Sequence, residues 1–121
     1  MAKRALVVDD SPTMRQMVAF TLQQGGFKTE EAADGREALT KLQGGSFELI
    51  VTDLNMPNLD GVQFIRAARQ HGAHRFTPIL MLTTESQESK KQEGKAAGAT
   101  GWLVKPFDPQ KLLAIVSKVV R

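Results

Sequence analysis

The sequence predicts an α/β domain: a five-stranded parallel sheet with helices on both faces. Three observations predict it. Short apolar runs and amphipathic stretches alternate five times, joined by connections of a few residues. The run Leu49-Ile50-Val51-Thr52, with Phe47 ahead of it, reads as a strand covered on both faces. Four of the apolar runs are followed by chemically equipped residues: Asp9-Asp10, Asp53, Thr83 and Lys105. Parallel strands point one way, so these residues share the carboxyl edge of the sheet, where open α/β sheets bind ligands.

Ala5-Leu6-Val7-Val8 is the first strand, ended by Asp9-Asp10. Ser11 before Pro12 is an N-cap with proline at the first helical position. Met14, Met17, Val18 and Leu22 follow at helical spacing, and Gly25-Gly26 close that helix. Phe27 to Ala32 is a more polar strand, suited to a sheet edge. Asp34-Gly35 turn the chain into a short helix, Arg36 to Gln43, with Ala38, Leu39 and Leu42 inward; Gly44-Gly45 stop it. In the central strand Asp53 is followed by Leu54-Asn55-Met56-Pro57-Asn58. Pro57 has no N–H for a ladder and Asn58 favours a turn, so the strand ends with a carboxylate at its tip.

Leu59 to Gln70 form the third helix, with Val62, Ile65 and Ala68-Arg69 at helical spacing and Phe64 flanking that stripe. His71 and His74 share a polar loop with Gly72 and Arg75 and read as exposed side chains without a metal or catalytic role. Pro78 to Leu82 is the fourth strand. Ser86 to Ala97 is a poor helix with little beyond Ala96 and Ala97 to bury, and Gly94 weakens its interior by about 1 kcal/mol relative to alanine. It reads as a mobile element. Gly98 and Gly101 bracket the turn into Trp102-Leu103-Val104, the fifth strand, which Lys105-Pro106 stop. Asp108 caps a last helix from Pro109, with Leu112, Ile115, Val116 and Val119 on one stripe and Leu113 and Val120 beside it. That arc is wider than sheet packing requires. It marks either a contact surface or a last helix sunk into the core.

The totals narrow the function classes. A length of 121 residues, 41% hydrophobic and 24% charged, is that of one domain with its own core. With no cysteine, disulfides and thiolate metal sites are excluded. No apolar run approaches the ~20 residues of a membrane span. Met1-Ala2-Lys3-Arg4 followed by ALVV imitates a signal peptide, but Asp9-Asp10 cut the apolar run short. A cytoplasmic protein without membrane insertion is expected. The net charge is +3, unevenly spread. Residues 1–60 carry 6 basic and 9 acidic groups, and residues 61–121 carry 10 basic and 4 acidic groups. The first half suits a cation site and the second an acidic partner. No helix-turn-helix, zinc finger or aromatic-basic platform points to nucleic acid.

Each edge residue alone has an ordinary role: Asp9, Asp10 and Thr83 as helix caps, Lys105 as a surface lysine. Together they describe chemistry. Three carboxylates brought together need a cation or a proton. Oxygen ligands without His or Cys suit a hard ion, Mg²⁺ first. A metal, the Lys105 ammonium and the Thr83 hydroxyl around one carboxylate make a site for a phosphoryl group. Asp53 is then the nucleophile that forms an acyl phosphate.

The motifs VVDDSPTMR, IVTDLNMPNLDG, LMLTTES and AGATGWLVKPF, in this order and spacing, resemble the receiver domain of response regulators, most of all the single-domain chemotaxis members. The resemblance covers essentially the whole chain. It implies a flavodoxin-like doubly wound sheet of order 2-1-3-4-5 with five helices, as one receiver domain over residues 1–121 without an output domain. It implies Asp53 as phosphoacceptor, Asp9, Asp10, Asp53 and the Asn55 main-chain carbonyl as Mg²⁺ ligands, and Lys105 on the phosphoryl oxygens, followed by a cis bond to Pro106. Thr83 and Trp102 match the switch pair. The aromatic position is usually Tyr or Phe, so the indole of Trp102 is a departure. The implied partners are a sensor histidine kinase of the chemotaxis type and a target such as the flagellar switch, bound by a monomer. The output surface spans the fourth helix, fifth strand and last helix, made basic by Lys90, Lys91, Lys95 and Lys111. Asn55 and Glu85 flank the site and tune loss of the phosphoryl group. The protein is then a signalling phosphoacceptor rather than an enzyme acting on other molecules.

Other classes fit less well. A haloacid dehalogenase-type phosphatase needs a second Asp two residues after the first, where this chain has Asn55. A flavodoxin needs a phosphate loop after the first strand, where Asp9-Asp10 repel phosphate. A receiver acting as a phosphate sink, or as a non-phosphorylated scaffold, is the closest rival.

Overall fold

The computed structural model describes residues 3–84 and 88–120. Five strands run parallel: β1 (Lys3–Val8), β2 (Phe27–Ala32), β3 (Leu49–Asp53), β4 (Ile79–Thr83) and β5 (Gly101–Val104). They pair in the order β2-β1-β3-β4-β5, which is the expected flavodoxin-like arrangement. The helices α1 (Pro12–Gln24), α2 (Gly35–Gln43), α3 (Gly61–Gln70), α4 (Glu88–Ala97) and α5 (Pro109–Val119) fill the crossovers. A 3-10 turn at Gly72–His74 leads from α3 to β4. No helix among the described residues is long and apolar enough to cross a membrane.

Side chains alternate across a strand, so the two faces of the sheet build two cores. Ala5, Val7, Leu49, Val51, Leu80 and Leu82 pack with α1 and α5. Leu6, Val8, Ile50, Ile79 and Met81 pack with α2 and α3. Every residue of β3 is buried, which puts Asp53 at the tip of the most enclosed strand. β2 is an edge strand with half-buried Thr29, Glu30 and Glu31, as its polarity predicts. Ile115, Val119 and Val120 pack on the first core, so the wide apolar arc of α5 serves the interior.

The caps follow the sequence. The Ser11 hydroxyl accepts the Met14 N–H at 3.2 Å, and the Asp108 carboxylate accepts the Gln110 N–H at 2.9 Å. The third helix begins at Gly61 rather than Leu59, because Asp60 and Gln63 form a capping box at its entrance.

Four expectations need correction. Met17 is 48% exposed and Phe20 lies beside it on the outer face of α1; Val18, Ala19 and Leu22 do the packing. Phe64 does not flank the stripe of α3 but is fully buried at its centre. Gly94 is the one buried residue of α4, and a Cβ there would overlap the Met81 side chain. It is therefore the point where α4 meets the sheet, not merely a weak spot. His74 is fully buried, because its Nε2 accepts the Phe47 N–H from the approach to β3 at 3.2 Å. The expected start of the fourth helix at Ser86 lies outside the described residues.

Candidate functional site

β1 and β3 are neighbours, so the residues at their tips meet. Asp9 follows β1 directly, and its N–H donates to the Ala32 carbonyl at 3.1 Å. Its side chain is fully buried. Oδ1 accepts the Ser11 N–H at 2.9 Å, and Oδ2 lies 3.5 Å from the Lys105 ammonium. Asp10 is exposed beside it. The Asp53 Oδ1 accepts the Leu54 N–H at 2.8 Å and lies 3.2 Å from the same ammonium. Lys105 directly follows β5, and its bond to Pro106 is cis, as expected. Its ammonium joins two carboxylates at the tips of two other strands.

One carboxylate oxygen from each of Asp9, Asp10 and Asp53 lies within 4.8 Å of the others. Three carboxylates against one ammonium leave a formal charge of −2. Burial pushes the Asp9 carboxyl above its ordinary range, and the Asp53 charge adds to that; the Ser11 N–H and Lys105 oppose it. The donor set is all oxygen, it is over-charged, and one member is reluctant to ionise. That fits a hard divalent cation such as Mg²⁺. Asn55 stands two residues beyond Asp53, in the loop to α3, with its side chain exposed.

Thr83 ends β4 and is almost fully buried. Its hydroxyl donates to the Leu103 carbonyl on the neighbouring strand at 3.4 Å. Trp102 lies outward on β5, 37% exposed, beneath two cations of α4. The Lys91 and Lys95 ammoniums lie 4.7 and 4.8 Å from its ring centroid, within cation–π range. Lys91 also meets Glu88 at 3.0 Å, and Lys90 meets Asp60 at 3.4 Å. Three of the four lysines expected to make the output surface basic thus have partners; Lys111 is exposed on α5. Glu85 lies outside the described residues.

Sequence reasoning missed Arg15. Its Nη1 donates to the Asp9 carbonyl at 2.9 Å, and its Nε pairs with Glu31 of β2 at 2.9 Å. The pair ties the loop after β1 to the sheet edge. The only signal was an arginine one turn into α1 facing an acidic edge strand.

The chain matches the family profile described as the response regulator receiver domain, over residues 5–117. The chain belongs to this receiver family. It is similar to the chemotaxis response regulator CheY4 of Vibrio cholerae: 54% identity, TM-score 0.92, covering 99% of this chain and 100% of that one. It is 37% identical over 121 residues to the phosphate regulon transcriptional regulatory protein PhoB of Escherichia coli (strain K12), covering 100% of this chain and 53% of PhoB. The receiver domain thus spans about half the length of the curated relatives it matches. It is also similar to the receiver domain of a sensor histidine kinase from Pseudomonas aeruginosa PAO1, at 26% identity and TM-score 0.90 over 98% of each chain. That structure has a magnesium ion coordinated in its active-site cleft.

In this receiver domain the acidic cluster has a cost. A raised Asp9 carboxyl favours the fold below its unfolded value near 3.8, and that contribution is lost as pH rises through the folded value. Asp9 ionised at neutral pH is therefore a liability. Asp9→Asn keeps the Oδ1 acceptor for Ser11 and removes the charge. It is expected to stabilise the ion-free protein at neutral pH by about 1 kcal/mol. Urea denaturation with a chelator present checks this, and an unchanged or lower midpoint contradicts it.

Proposed function

We propose that this protein is a phosphoacceptor of two-component signalling: Asp53 takes a phosphoryl group from a phosphohistidine on a sensor histidine kinase. The Lys105 ammonium between Asp53 and Asp9 is the observation that carries this reading. A buried carboxylate meets an anionic donor only if its charge is offset. The Leu54 N–H and the Lys105 ammonium both hold one oxygen of Asp53, Oδ1. A carboxylate oxygen attacks phosphorus, the P–N bond breaks, and the imidazole leaves with the bonding pair and takes up a proton. The product is an acyl phosphate on Asp53. Lys105 then faces a phosphoryl oxygen. Asp9, Asp10 and Asp53, with the Asn55 carbonyl, would hold Mg²⁺, which when bound neutralises phosphoryl charge.

Thr83 is the responding hydroxyl. Its bond to Leu103 is long, and a new phosphoryl acceptor competes for it. Movement of Thr83 opens space that Trp102 enters, a population shift between two states. Lys91 and Lys95 then lose their aromatic seat, and two cations become available on the α4–β5–α5 face to an acidic target, such as a flagellar switch protein.

Titration with Mg²⁺ and beryllofluoride, a phosphoryl stand-in, tests this. The fluorescence of Trp102, the chain's single tryptophan, should change saturably only when both are present. Calorimetry should show Mg²⁺ binding alone. Absence of any Mg²⁺ heat would leave the scaffold reading in its place.

A further inference from the structure

We infer that His71, His74 and the Phe47 amide form a one-directional hydrogen-bond chain that breaks on acidification, making the α3–β4 turn a pH-sensitive latch at the sheet edge opposite the acidic cluster. Two contacts define the chain. The Phe47 N–H lies 3.2 Å from His74 Nε2, and His74 Nδ1 lies 3.0 Å from His71 Nδ1. A backbone amide can only donate, so His74 Nε2 must be bare. Neutral His74 therefore carries its proton on Nδ1 and donates to His71. His71 Nδ1 must then be bare, with the His71 proton on Nε2. Every proton position in the chain is fixed by one peptide N–H.

The chain has no room for another proton. Protonation of His74 Nε2 sets it against the Phe47 N–H. Protonation of His71 Nδ1 sets it against the His74 Nδ1–H. Either route loses a hydrogen bond. The same logic excludes a metal between the rings, since His74 would need both nitrogens bare.

The surroundings do not relieve the cost. Arg69 at the end of α3 donates to the His74 carbonyl at 3.0 Å and to the Thr77 carbonyl at 2.6 Å, placing a fixed positive charge beside the turn. Arg4 of β1 lies over the Phe47 ring at 4.5 Å. Glu48 is the acid nearby, and its Oε1 accepts the Arg4 N–H at 2.7 Å. Burial lowers the affinity of His74 for a proton, His71 lowers it further, and Glu48 opposes them. Unfolding releases His74 to take up a proton that the folded chain refuses. The contribution of His74 is thus fully present above about pH 6.5 and is lost as pH falls below it. What loosens is joint: Thr77 also donates to the Phe47 carbonyl at 3.3 Å, so one turn holds both polar atoms of the Phe47 backbone.

Long-range nitrogen–proton NMR of the imidazoles in the full chain tests the first step. At neutral pH His74 should show Nδ1–H with bare Nε2, and His71 the reverse. The opposite tautomers, or ordinary titration of His74, would overturn the inference. In the Asp9→Asn background, which removes the opposing titration of Asp9, the unfolding equilibrium constant should rise by up to about tenfold per pH unit below about pH 6.5. A constant independent of pH there, or one shown to depend on His71 alone, counts against it. His71→Gln keeps an acceptor and should retain both the stability and the slope. His71→Phe fills similar space without an acceptor and should be less stable at neutral pH. Equal stability of the two variants would remove the hydrogen bond from the account.

Discussion

Asp53→Asn is expected to take up no phosphoryl group from acetyl phosphate and Mg²⁺, a loss of at least ~10³-fold in rate. The substitution is a narrow one. The amide oxygen can still accept the Leu54 N–H, and Lys105 keeps Asp9 as a counter-charge. The fold should therefore persist while the nucleophile disappears, since an amide oxygen does not form a lasting acyl phosphate. Asp9→Asn should behave differently. It retains the nucleophile and weakens the cation site, so labelling should fall but recover as Mg²⁺ is raised. Intact mass spectrometry after reaction distinguishes the two variants. Hydroxylamine-labile label on Asp53→Asn would place the acceptor elsewhere.

Gly61→Ala should cost about 3 kcal/mol, at the upper end for a single methyl group forced into a packed site. Gly61 opens α3, is buried, and donates its N–H to the Leu54 carbonyl at 2.9 Å. A Cβ there would overlap the Asp53 carbonyl oxygen and lie 2.7 Å from the Leu54 Cα. Both obstacles are backbone at the tip of the central strand, and neither can swing aside. The methyl group would push on the peptide that carries Asp53, so labelling should fall along with stability. Gly94→Ala is the useful contrast. There the obstacle is the Met81 side chain, which can change rotamer, and alanine regains about 1 kcal/mol of helix propensity. Urea denaturation should rank Gly61→Ala far below Gly94→Ala; parity would sink the argument.

The sheet and the acidic site were legible because one topological fact generates both. Alternating elements force parallel strands, and parallel strands bring Asp9, Asp53, Thr83 and Lys105 to one edge. Local chemistry marked Ser11 and Asp108 as caps equally well. What escaped depends on partners far away in the chain. The burial of His74 is set by a peptide N–H 27 residues earlier. The role of Gly94 is visible only once Met81 lies beneath it, and Lys91 and Lys95 read as free charges until Trp102 is placed under them. Arg15 was hidden for the same reason: its two anchors lie on the tips of two different strands. Met17 misled by its spacing, since helical periodicity says which residues share a face but leaves the breadth of the buried arc open.

Asp60 serves two helices with one carboxylate. Oδ1 receives the Gln63 N–H at the mouth of α3, and Oδ2 receives the Lys90 ammonium from α4. A ligand that draws Lys90 outward therefore tugs on the segment just downstream of Asp53, and a tightening of that segment holds Lys90 back. The ion pair is partly exposed and worth at most about 1 kcal/mol, so such crosstalk is capped near fivefold. Linkage makes the traffic equal in both directions. Occupancy at the far helix would raise or lower the affinity of the strand-tip site for a ligand by no more than that same modest factor.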